Sequence, residues 1–258
     1  MDKQPKETNP APNEEWITGR NAVAEALRSG RALDSVLVTR GEHSGSLTGL
    51  VAQCRRRGIP VKEVDPRRLD SLCGPHHQGI AASAACREYA SLDDLFAAAK
   101  AKGEPPLFVV CDELEDPHNL GAILRTAEAA GAHGVIVPKR RSVGLTSAVY
   151  KASAGAVEYM PVARVPNLTE TLKELKKRGM WIYGLDMDGE NWCSVDLTGA
   201  AALVVGSEGR GISRLVSEQC DFQLSVPMRG HISSLNASVA CGIVLYEAAR
   251  QRLAIPAK

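Results

Sequence analysis

Short apolar runs alternate with longer segments of helical spacing from Trp16 to the end of the chain. In the first part this pattern predicts helices over 19–30, 47–58 and 65–73 and strands over 35–39, 59–64 and 79–85. In the second part it predicts a last helix over 236–251, with helices also between strands over 107–112, 134–138, 157–161, 180–185, 201–206 and 222–226. Strands that alternate with helices form mainly parallel sheets covered on both faces, so the predicted fold class is α/β.

Composition divides the chain into four segments. Residues 1–15 are polar, contain proline and have almost no large apolar side chain, so we expect a disordered tail. Residues 16–85 are expected to form a small α/β domain, residues 86–105 a linker with at most one helix, and residues 106–258 a larger α/β domain. Because 44% of the 258 residues are hydrophobic, both domains can bury a core.

Charge is unevenly distributed between the two domains. The whole chain has a formal net charge of +1, which by itself argues neither for nor against nucleic acid. Residues 16–85, however, contain ten Lys or Arg and six Asp or Glu, a net of +4, whereas residues 106–258 contain sixteen of each. The basic residues of the small domain, concentrated in CRRRG and DPRRL, form either solvated helix faces or a surface that binds phosphate groups.

Other features of the sequence argue against a membrane, a secretory signal and a metal. No apolar run approaches the roughly 20 residues that cross a bilayer, and residues 1–15 lack the apolar centre of a signal peptide. Seven cysteines without a C-x-x-C spacing argue against a disulfide framework and a zinc site. We therefore expect a cytoplasmic protein that needs no metal.

The segment DPHNLGAILRTA, residues 116–127, predicts a helix whose polar residues exceed what packing requires. Asp116 is a suitable N-cap and Pro117 a suitable first residue. One apolar face would be formed by Leu120, Ile123, Leu124 and Ala127. Asn119, Gly121 and Arg125 have no such explanation. Because Gly121 lies one turn before Arg125, we interpret it as leaving a groove open beside the guanidinium.

Two further segments combine glycines with polar residues near a helix start. Residues 204–213, VVGSEGRGIS, follow a strand, and their glycines would let the backbone approach a ligand closely. Their spacing differs from the common phosphate-binding loops, and Glu208 would repel a phosphate. In residues 226–244, VPMRGHISSLNASVACGIV, Ser233 or Ser234 is the expected cap of the last helix and Asn236 lies in its first turn.

In their order and separation, the three segments resemble the motifs of the SpoU (TrmH-type) RNA 2′-O-methyltransferases of the SPOUT superfamily. Asn119, Gly121, Arg125 and Thr126 match the first motif, GSEGRGIS at 206–213 the second, and VPMRGHISSLNASVACGIVLYEA at 226–248 the third. The small domain, with ITGRNAVAEAL at 17–27 and HQGI at 77–80, is similar to the L30e/L7Ae-like substrate domain of the RlmB-like subgroup. That subgroup methylates a guanosine ribose in large-subunit (23S) ribosomal RNA.

The resemblance implies a SPOUT domain whose parallel sheet contains a deep trefoil knot and binds S-adenosyl-L-methionine (AdoMet) largely through backbone groups. The implied AdoMet-binding residues are Leu185, Gly206, Val226, Met228 and Leu235. The resemblance also implies a homodimer formed through the knotted domain. The implied RNA-binding residues of the small domain are Arg20, Arg55, Arg56, Arg57 and His77.

The implied catalytic residues are Arg125, Asn119, Glu208, Ser234 and Asn236. Because the methyl group of AdoMet is already activated, the protein has to align the ribose 2′-oxygen and help it lose a proton. Two roles are open for Arg125. A neutral arginine could accept the proton, or a charged arginine could bind a neighbouring phosphate and stabilise the developing alkoxide. We favour the second role because a free guanidinium has a pKa above about 12.

Other functions explain fewer of these features. Transfer RNA is the alternative substrate, although the basic small domain favours ribosomal RNA. A non-catalytic ribosome-assembly factor would not need the complete set of catalytic residues. An oxidoreductase that binds a dinucleotide would need G-x-G-x-x-G after its first strand, and this motif is absent. The sequence therefore predicts an AdoMet-dependent enzyme that methylates a guanosine of large-subunit ribosomal RNA.

Overall fold

The computed structural model describes residues 16–28, 30–41, 45–84 and 87–256. The expected N-terminal tail therefore lies outside the described residues. The chain forms two compact units that separate between residues 85 and 86. Within the described ranges, no helix is both long and apolar enough to cross a membrane.

The first unit is a mixed sheet with helices. Its elements are β1 (Trp16–Thr18), α1 (Arg20–Arg28), β2 (Leu33–Thr39), α2 (Gly45–Arg56), β3 (Val61–Val64), α3 (Pro66–Cys73) and β4 (Ile80–Ala84). The strand order in the described part of this unit is β1–β4–β2–β3, with β3 parallel to β2 and β4 antiparallel to both of its neighbours. The predicted elements are confirmed in kind, and β1 is a strand that the sequence pattern did not predict.

Alternate residues of β2 face two different helix layers, as expected for a strand. Val36 and Val38 pack with the buried residues of α1 and α2, which include Val23, Leu27, Leu47 and Val51. Leu37 points to the other face, where it packs with Leu69 of α3. The side chain of Asp65 caps α3 by accepting a hydrogen bond from the Arg67 N–H, which confirms the predicted capped helix.

The second unit is a parallel sheet covered by helices. Its first elements are α4 (Leu92–Lys102), β5 (Leu107–Cys111), α5 (Pro117–Ala129), β6 (Gly134–Pro138), α6 (Ser147–Ala152) and β7 (Val162–Val165). The remaining ones are α7 (Leu168–Lys177), β8 (Trp181–Asn191), β9 (Ala201–Val205), α8 (Arg214–Ser217), β10 (Phe222–Ser225) and α9 (Ala237–Arg252). In the described residues, the strand order is β10–β8–β9–β5–β6–β7 and all neighbouring pairs are parallel. The predicted parallel α/β sheet is confirmed.

Helices cover both faces of this sheet. On one face, leucines of α7, Leu95 of α4 and Val216 of α8 pack with Phe108 of β5 and Val204 of β9. On the other face, α5 packs between α6 and α9. All residues of β5, β6 and β9 are buried, as is typical of central parallel strands.

Two predictions for this unit are wrong. Residues 86–105 are not a linker, because Leu95 lies in the core and the Ala90 N–H donates to the Val162 carbonyl beside β7. Residues 157–161 do not form a strand. Gly155, with a φ of 86°, starts a 3₁₀ helix at 156–158, and β7 begins only after Pro161. Proline has no N–H for a strand ladder, which explains why the strand starts behind it.

Candidate active site

The polar residues of the three motifs lie beyond the carboxyl ends of the parallel strands. β5 and β9 are neighbours, and Cys111 pairs with Val205 where both strands end. The loop after β5 leads to α5, and the loop after β10 leads to α9, which packs against α5. Open α/β sheets bind ligands at this edge, so the fold brings the three motifs to the place where such sheets bind ligands.

Asn119, Glu208 and Asn236 form a hydrogen-bonded triangle with one residue from each motif. Asn119 Nδ2 donates to Glu208 Oε1 at 3.0 Å, and Asn236 Nδ2 donates to Asn119 Oδ1 at 2.8 Å. Asn236 Nδ2 also donates to Glu208 Oε1. Asn119 is buried, whereas Glu208 and Asn236 are exposed. The triangle therefore joins the start of α5, the glycine-rich loop at residues 206–211 and the start of α9. It presents two polar groups to solvent.

Asn236 takes part in the triangle while it also caps α9. Its Oδ1 accepts from the Ser238 N–H at 3.0 Å and from the Val239 N–H at 3.3 Å. The expectation that Ser233 or Ser234 caps this helix is therefore wrong. An asparagine suits both tasks because its amide has an acceptor for the helix N–H groups and a donor for the triangle.

The start of α5 agrees with the sequence prediction. The Asp116 side chain accepts from the His118 N–H at 3.0 Å, and Pro117 is the first helical residue. The predicted apolar face is fully buried and consists of Leu120, Ile123, Leu124 and Ala127. This face fixes the orientation of the helix, so that Asn119 points towards the glycine-rich loop.

The prediction that Gly121 leaves a groove open beside Arg125 is wrong. A Cβ at Gly121 would lie 2.4 Å from the Ala152 Cβ and 2.9 Å from the Ser153 backbone nitrogen. Gly121 is buried and allows α6 to pack closely against α5. It does not leave a groove open beside Arg125.

Arg125 and Ser234 are not hydrogen-bonded to the triangle. Arg125 is exposed on α5, and no partner for its guanidinium is found among the described residues. Ser234 is exposed in the loop between β10 and α9. The structure thus joins three of the five predicted catalytic residues and leaves the other two open to a substrate.

The glycine-rich loop is a tight turn that presents Glu208. The Ser207 N–H donates to the Gly211 carbonyl at 3.1 Å, and the Gly211 N–H donates back to the Ser207 carbonyl at 2.8 Å. A Cβ at Gly206 would lie 2.0 Å from the Gly211 carbonyl carbon, so only glycine fits. Glu208 lies within this turn and so reaches Asn119.

The sequence analysis missed Asp112, which anchors the same loop. Asp112 is buried directly after β5, and its Oδ2 accepts from the Ser213 N–H at 2.7 Å. A carboxylate placed immediately after a wholly apolar strand is the signal that could have identified it. A buried carboxylate that accepts a backbone N–H holds the loop in one position.

The predicted AdoMet-binding residues lie in or beside the loops at this edge. Gly206 is buried, while Leu185, Val226 and Leu235 are half-buried and Met228 is exposed. In β8 the residues 185–189 leave the ladder, because Gln223 pairs with Gly184 and Leu224 pairs with Glu190.

Backbone groups suited to a ligand are present at this edge. Within the described part of the chain, the backbone of 227–235 forms no hydrogen bond, and the buried Ser207 Oγ has no partner. Unpaired backbone donors and acceptors next to half-buried apolar side chains fit a cofactor that is held largely by backbone contacts.

In the first unit, His77 is buried and is not available to RNA, contrary to the prediction. Its Nε2 lies 3.1 Å from Asp70 Oδ1 and its Nδ1 accepts from the Gly79 N–H at 2.9 Å, so both ring nitrogens are used in a buried turn. Arg20 braces the same turn, since its Nε donates to the Gln78 carbonyl at 3.1 Å.

The three consecutive arginines of the first unit differ in their contacts. Arg57 donates to the Leu27 carbonyl, and Arg55 forms a long ion pair of 4.0 Å with Glu63. Arg56 is exposed. Arg55 and Arg56 therefore keep their charges accessible to a phosphate.

Comparison with known families matches both units of the chain. Residues 106–246 match the SpoU rRNA Methylase family, and residues 16–90 match the family described as RNA 2′-O ribose methyltransferase substrate binding. The chain is 48% identical over 239 residues to YacO of Bacillus subtilis, which is named as a TrmH family tRNA/rRNA methyltransferase. This match covers 92% of this chain and 96% of the relative. A Staphylococcus epidermidis protein with the same family name is 44% identical, over 92% of this chain and 95% of its own length.

Solved structures lead to the same family. The SpoU methyltransferase AviRb from Streptomyces viridochromogenes, in complex with the cofactor AdoMet, has a TM-score of 0.60 and 28% identity. The match covers 93% of this chain and 90% of AviRb. The TrmH/SpoU tRNA modifying enzyme of A. aeolicus has a TM-score of 0.53 and 33% identity over 58% of this chain and 77% of its own. The chain therefore belongs to the SpoU family of RNA 2′-O-ribose methyltransferases.

Proposed function

We propose that this protein methylates the ribose 2′-oxygen of a guanosine in large-subunit ribosomal RNA. AdoMet is the methyl donor of the SpoU family, and AviRb contains it. The observation that carries the proposal is the Asn119–Glu208–Asn236 triangle. It brings the three motifs together at the start of α5, the helix that carries the exposed Arg125.

The AdoMet site in this proposal is formed by the loops beyond β8, β9 and β10. The residues that hold the cofactor are Leu185, Gly206, Val226, Met228 and Leu235. AdoMet supplies an activated methyl group, so the chain needs no group that generates a nucleophile of unusual strength. The main task of the protein is to hold the ribose in line with that methyl group.

Arg125 acts in this mechanism as a fixed positive charge. Its guanidinium binds the phosphate next to the target ribose and stabilises the oxyanion that develops on the 2′-oxygen as the hydroxyl proton passes to solvent. The triangle and Ser234 orient the ribose beside it. Glu208 accepts hydrogen bonds from both asparagines, which leaves its second oxygen, Oε2, to accept one from a ribose hydroxyl.

Substitution of Arg125 tests this role. Arg125→Lys keeps the charge but loses the planar fork, so activity should fall and remain measurable. Arg125→Ala should lower kcat by about 10²- to 10³-fold, as expected for a lost oxyanion contact. AdoMet affinity should stay the same in both variants. If the single-turnover rate of the lysine variant rises with pH through a lysine-like pKa while the wild-type rate stays flat, Arg125 is the proton acceptor instead.

The substrate class in this proposal is supported by the first unit. Its substrate-binding match and the exposed Arg55 and Arg56 favour a large structured RNA. The relatives are named as tRNA/rRNA methyltransferases, so transfer RNA is the competing substrate. Nucleoside mass spectrometry of separated ribosomal and transfer RNA from cells without the protein decides between them. A 2′-O-methylguanosine should disappear from large-subunit RNA, and a loss confined to transfer RNA would contradict the proposal.

We also propose a homodimer formed through α9. Val239, Tyr246 and Leu253 are spaced by seven residues and are all exposed, so one face of the helix offers apolar side chains to a second copy. The same helix would close the family's knot. Gln251 Nε2 donates to the Val195 carbonyl and Arg252 Nε donates to the Leu197 carbonyl, so the end of this helix is held against the β8–β9 connection.

Analytical ultracentrifugation tests the dimer. The wild type should sediment as a dimer at micromolar concentration, and Tyr246→Glu should sediment as a monomer because it places a charge in the apolar face. A monomeric wild type would refute the dimer.

The six described cysteines are free thiols, which supports a reducing compartment such as the cytoplasm for the proposed enzyme.

A further inference from the structure

One carboxylate at the carboxyl edge of the sheet holds two exposed arginines. Glu113 Oε1 lies 2.8 Å from Arg141 Nη1, and Glu113 Oε2 lies 3.7 Å from Arg210 Nη1. The side chains of Arg141 and Arg210 are 76% and 79% exposed, whereas that of Glu113 is 20% exposed. Each guanidinium therefore keeps most of its N–H groups free for a ligand in solvent.

The order of the strands explains why these residues meet. β5 lies between β9 and β6, so the loop that carries Glu113 lies between the loop that carries Arg210 and the loop that carries Arg141. Glu113 and Arg141 have φ angles of 53° and 55°, a region that non-glycine residues rarely adopt. Such backbone strain persists only where the surroundings hold it, so this arrangement is fixed by the fold.

Arg141 and Arg210, here called the arginine pair, are connected through the backbone to the triangle of Asn119, Glu208 and Asn236. Arg210 lies two residues after Glu208 in the same tight turn, and Glu113 lies six residues before Asn119. Asp112, which is also nearby, is buried and accepts the Ser213 N–H, while the Asp116 carboxylate caps α5. Among the described residues, only Glu113 forms ion pairs with the two arginines, although the nearby carboxylates of Asp112 and Glu115 also help to raise the pKa of Arg141.

We propose that Arg141 and Arg210 together bind one phosphate group of the substrate RNA and thereby position the target ribose at the triangle. The proposal deepens the proposed function and rests on it. The guanidinium fork matches a phosphate with two parallel hydrogen bonds, and two forks held across one carboxylate can take two edges of the same phosphate. Arg141 and Arg210 are positioning residues in this role, because neither belongs to the triangle.

RNA affinity measured across a salt series tests the proposal with the full-length protein. The variants are Arg141→Ala, Arg210→Ala, the double variant and Arg210→Lys, and the probe is a ribosomal RNA fragment that the wild type methylates. The matched control is Arg214→Ala. Arg214 is 80% exposed and also forms an ion pair with a glutamate, Glu218 at 2.6 Å, but it lies on α8 outside the arginine pair.

The loss of one phosphate contact should lower the slope of log affinity against log salt by about one. Between 50 and 200 mM salt, the affinity of the wild type should therefore fall about threefold more than that of the double variant. The two single variants should not add fully because they share one phosphate. Arg210→Lys should keep part of the affinity, and Arg214→Ala should match the wild type.

AdoMet affinity, measured on the same preparations, should be unchanged and so reports that the variants are folded. Equal slopes for the wild type and the double variant, or an equal loss in Arg214→Ala, would overturn the arginine pair while the proposed function stands. A wild type that methylates no ribosomal RNA fragment would refute the proposed function itself.

Discussion

The replacement of Gly121 by alanine distinguishes a packing role from an RNA-binding role. A Cβ at this position would lie 2.4 Å from the Ala152 Cβ, 2.9 Å from the Ala152 carbonyl carbon and 2.9 Å from the Ser153 nitrogen. Carbon atoms in contact are normally about 3.5–4.0 Å apart. Because two of these neighbours are backbone atoms, no side-chain rotation can relieve the contact, and α6 has to move.

The free-energy cost follows from two opposing effects. Overpacking costs about 1–3 kcal/mol, and the severity of these contacts favours the upper end. Alanine gains about 1 kcal/mol over glycine inside a helix. The net loss is about 2 kcal/mol, which lowers the Tm of a unit of this size by about 4–8 °C.

Thermal unfolding followed by circular dichroism measures this shift, and RNA binding is measured below the transition. Gly49→Ala is the matched control. Gly49 lies within α2, and a Cβ added there would meet no heavy atom of a neighbouring element within 4 Å, so the variant should be as stable as the wild type or more stable. If Gly121→Ala has an unchanged Tm but loses RNA binding, the packing explanation is wrong and the groove beside Arg125 exists after all.

Three further predictions concern stability and the triangle. Burial lowers the pKa of His133, so the folded protein favours the neutral ring. The stability that this ring contributes should be complete above pH 6.5, the ordinary pKa of histidine, and should be lost as the pH falls below that value. When the pH is lowered from 7 to 5, the free energy of unfolding measured with urea should therefore fall more for the wild type than for His133→Gln. Arg252 donates to the carbonyls of Leu197, Pro105, Pro106 and Gly199, so Arg252→Met should cost about 2–3 kcal/mol in the same assay. Asn236→Asp keeps the cap of α9 but replaces a donor to Glu208 with a second carboxylate, so methylation should fall strongly and like-charge repulsion should lower Tm slightly. Asn236→Ala should lose about 1 kcal/mol through the missing cap. An active Asn236→Asp enzyme would show that the triangle is not needed.

The local sequence was sufficient to predict the elements whose determinants lie within a few residues. Asp65 with Pro66 and Asp116 with Pro117 mark helix starts, because an N-cap bonds to N–H groups only two or three residues away. The buried strands β5, β6 and β9 follow from their uninterrupted apolar runs. The order of the three motifs was also enough to indicate the family.

Only the tertiary structure decided the features that depend on distant parts of the chain. β1 is a strand because β4 provides a partner, and residues 86–105 join the second unit because the core accepts Leu95. The reason for Gly121 is a neighbour on α6, and the cap of α9 is Asn236 because its amide also bonds across the site. The triangle joins residues that are 89 and 117 positions apart, and the arginine pair forms because β5 lies between β9 and β6. No local pattern contains such contacts, since they arise only when the strands pair and their carboxyl ends come together at one edge.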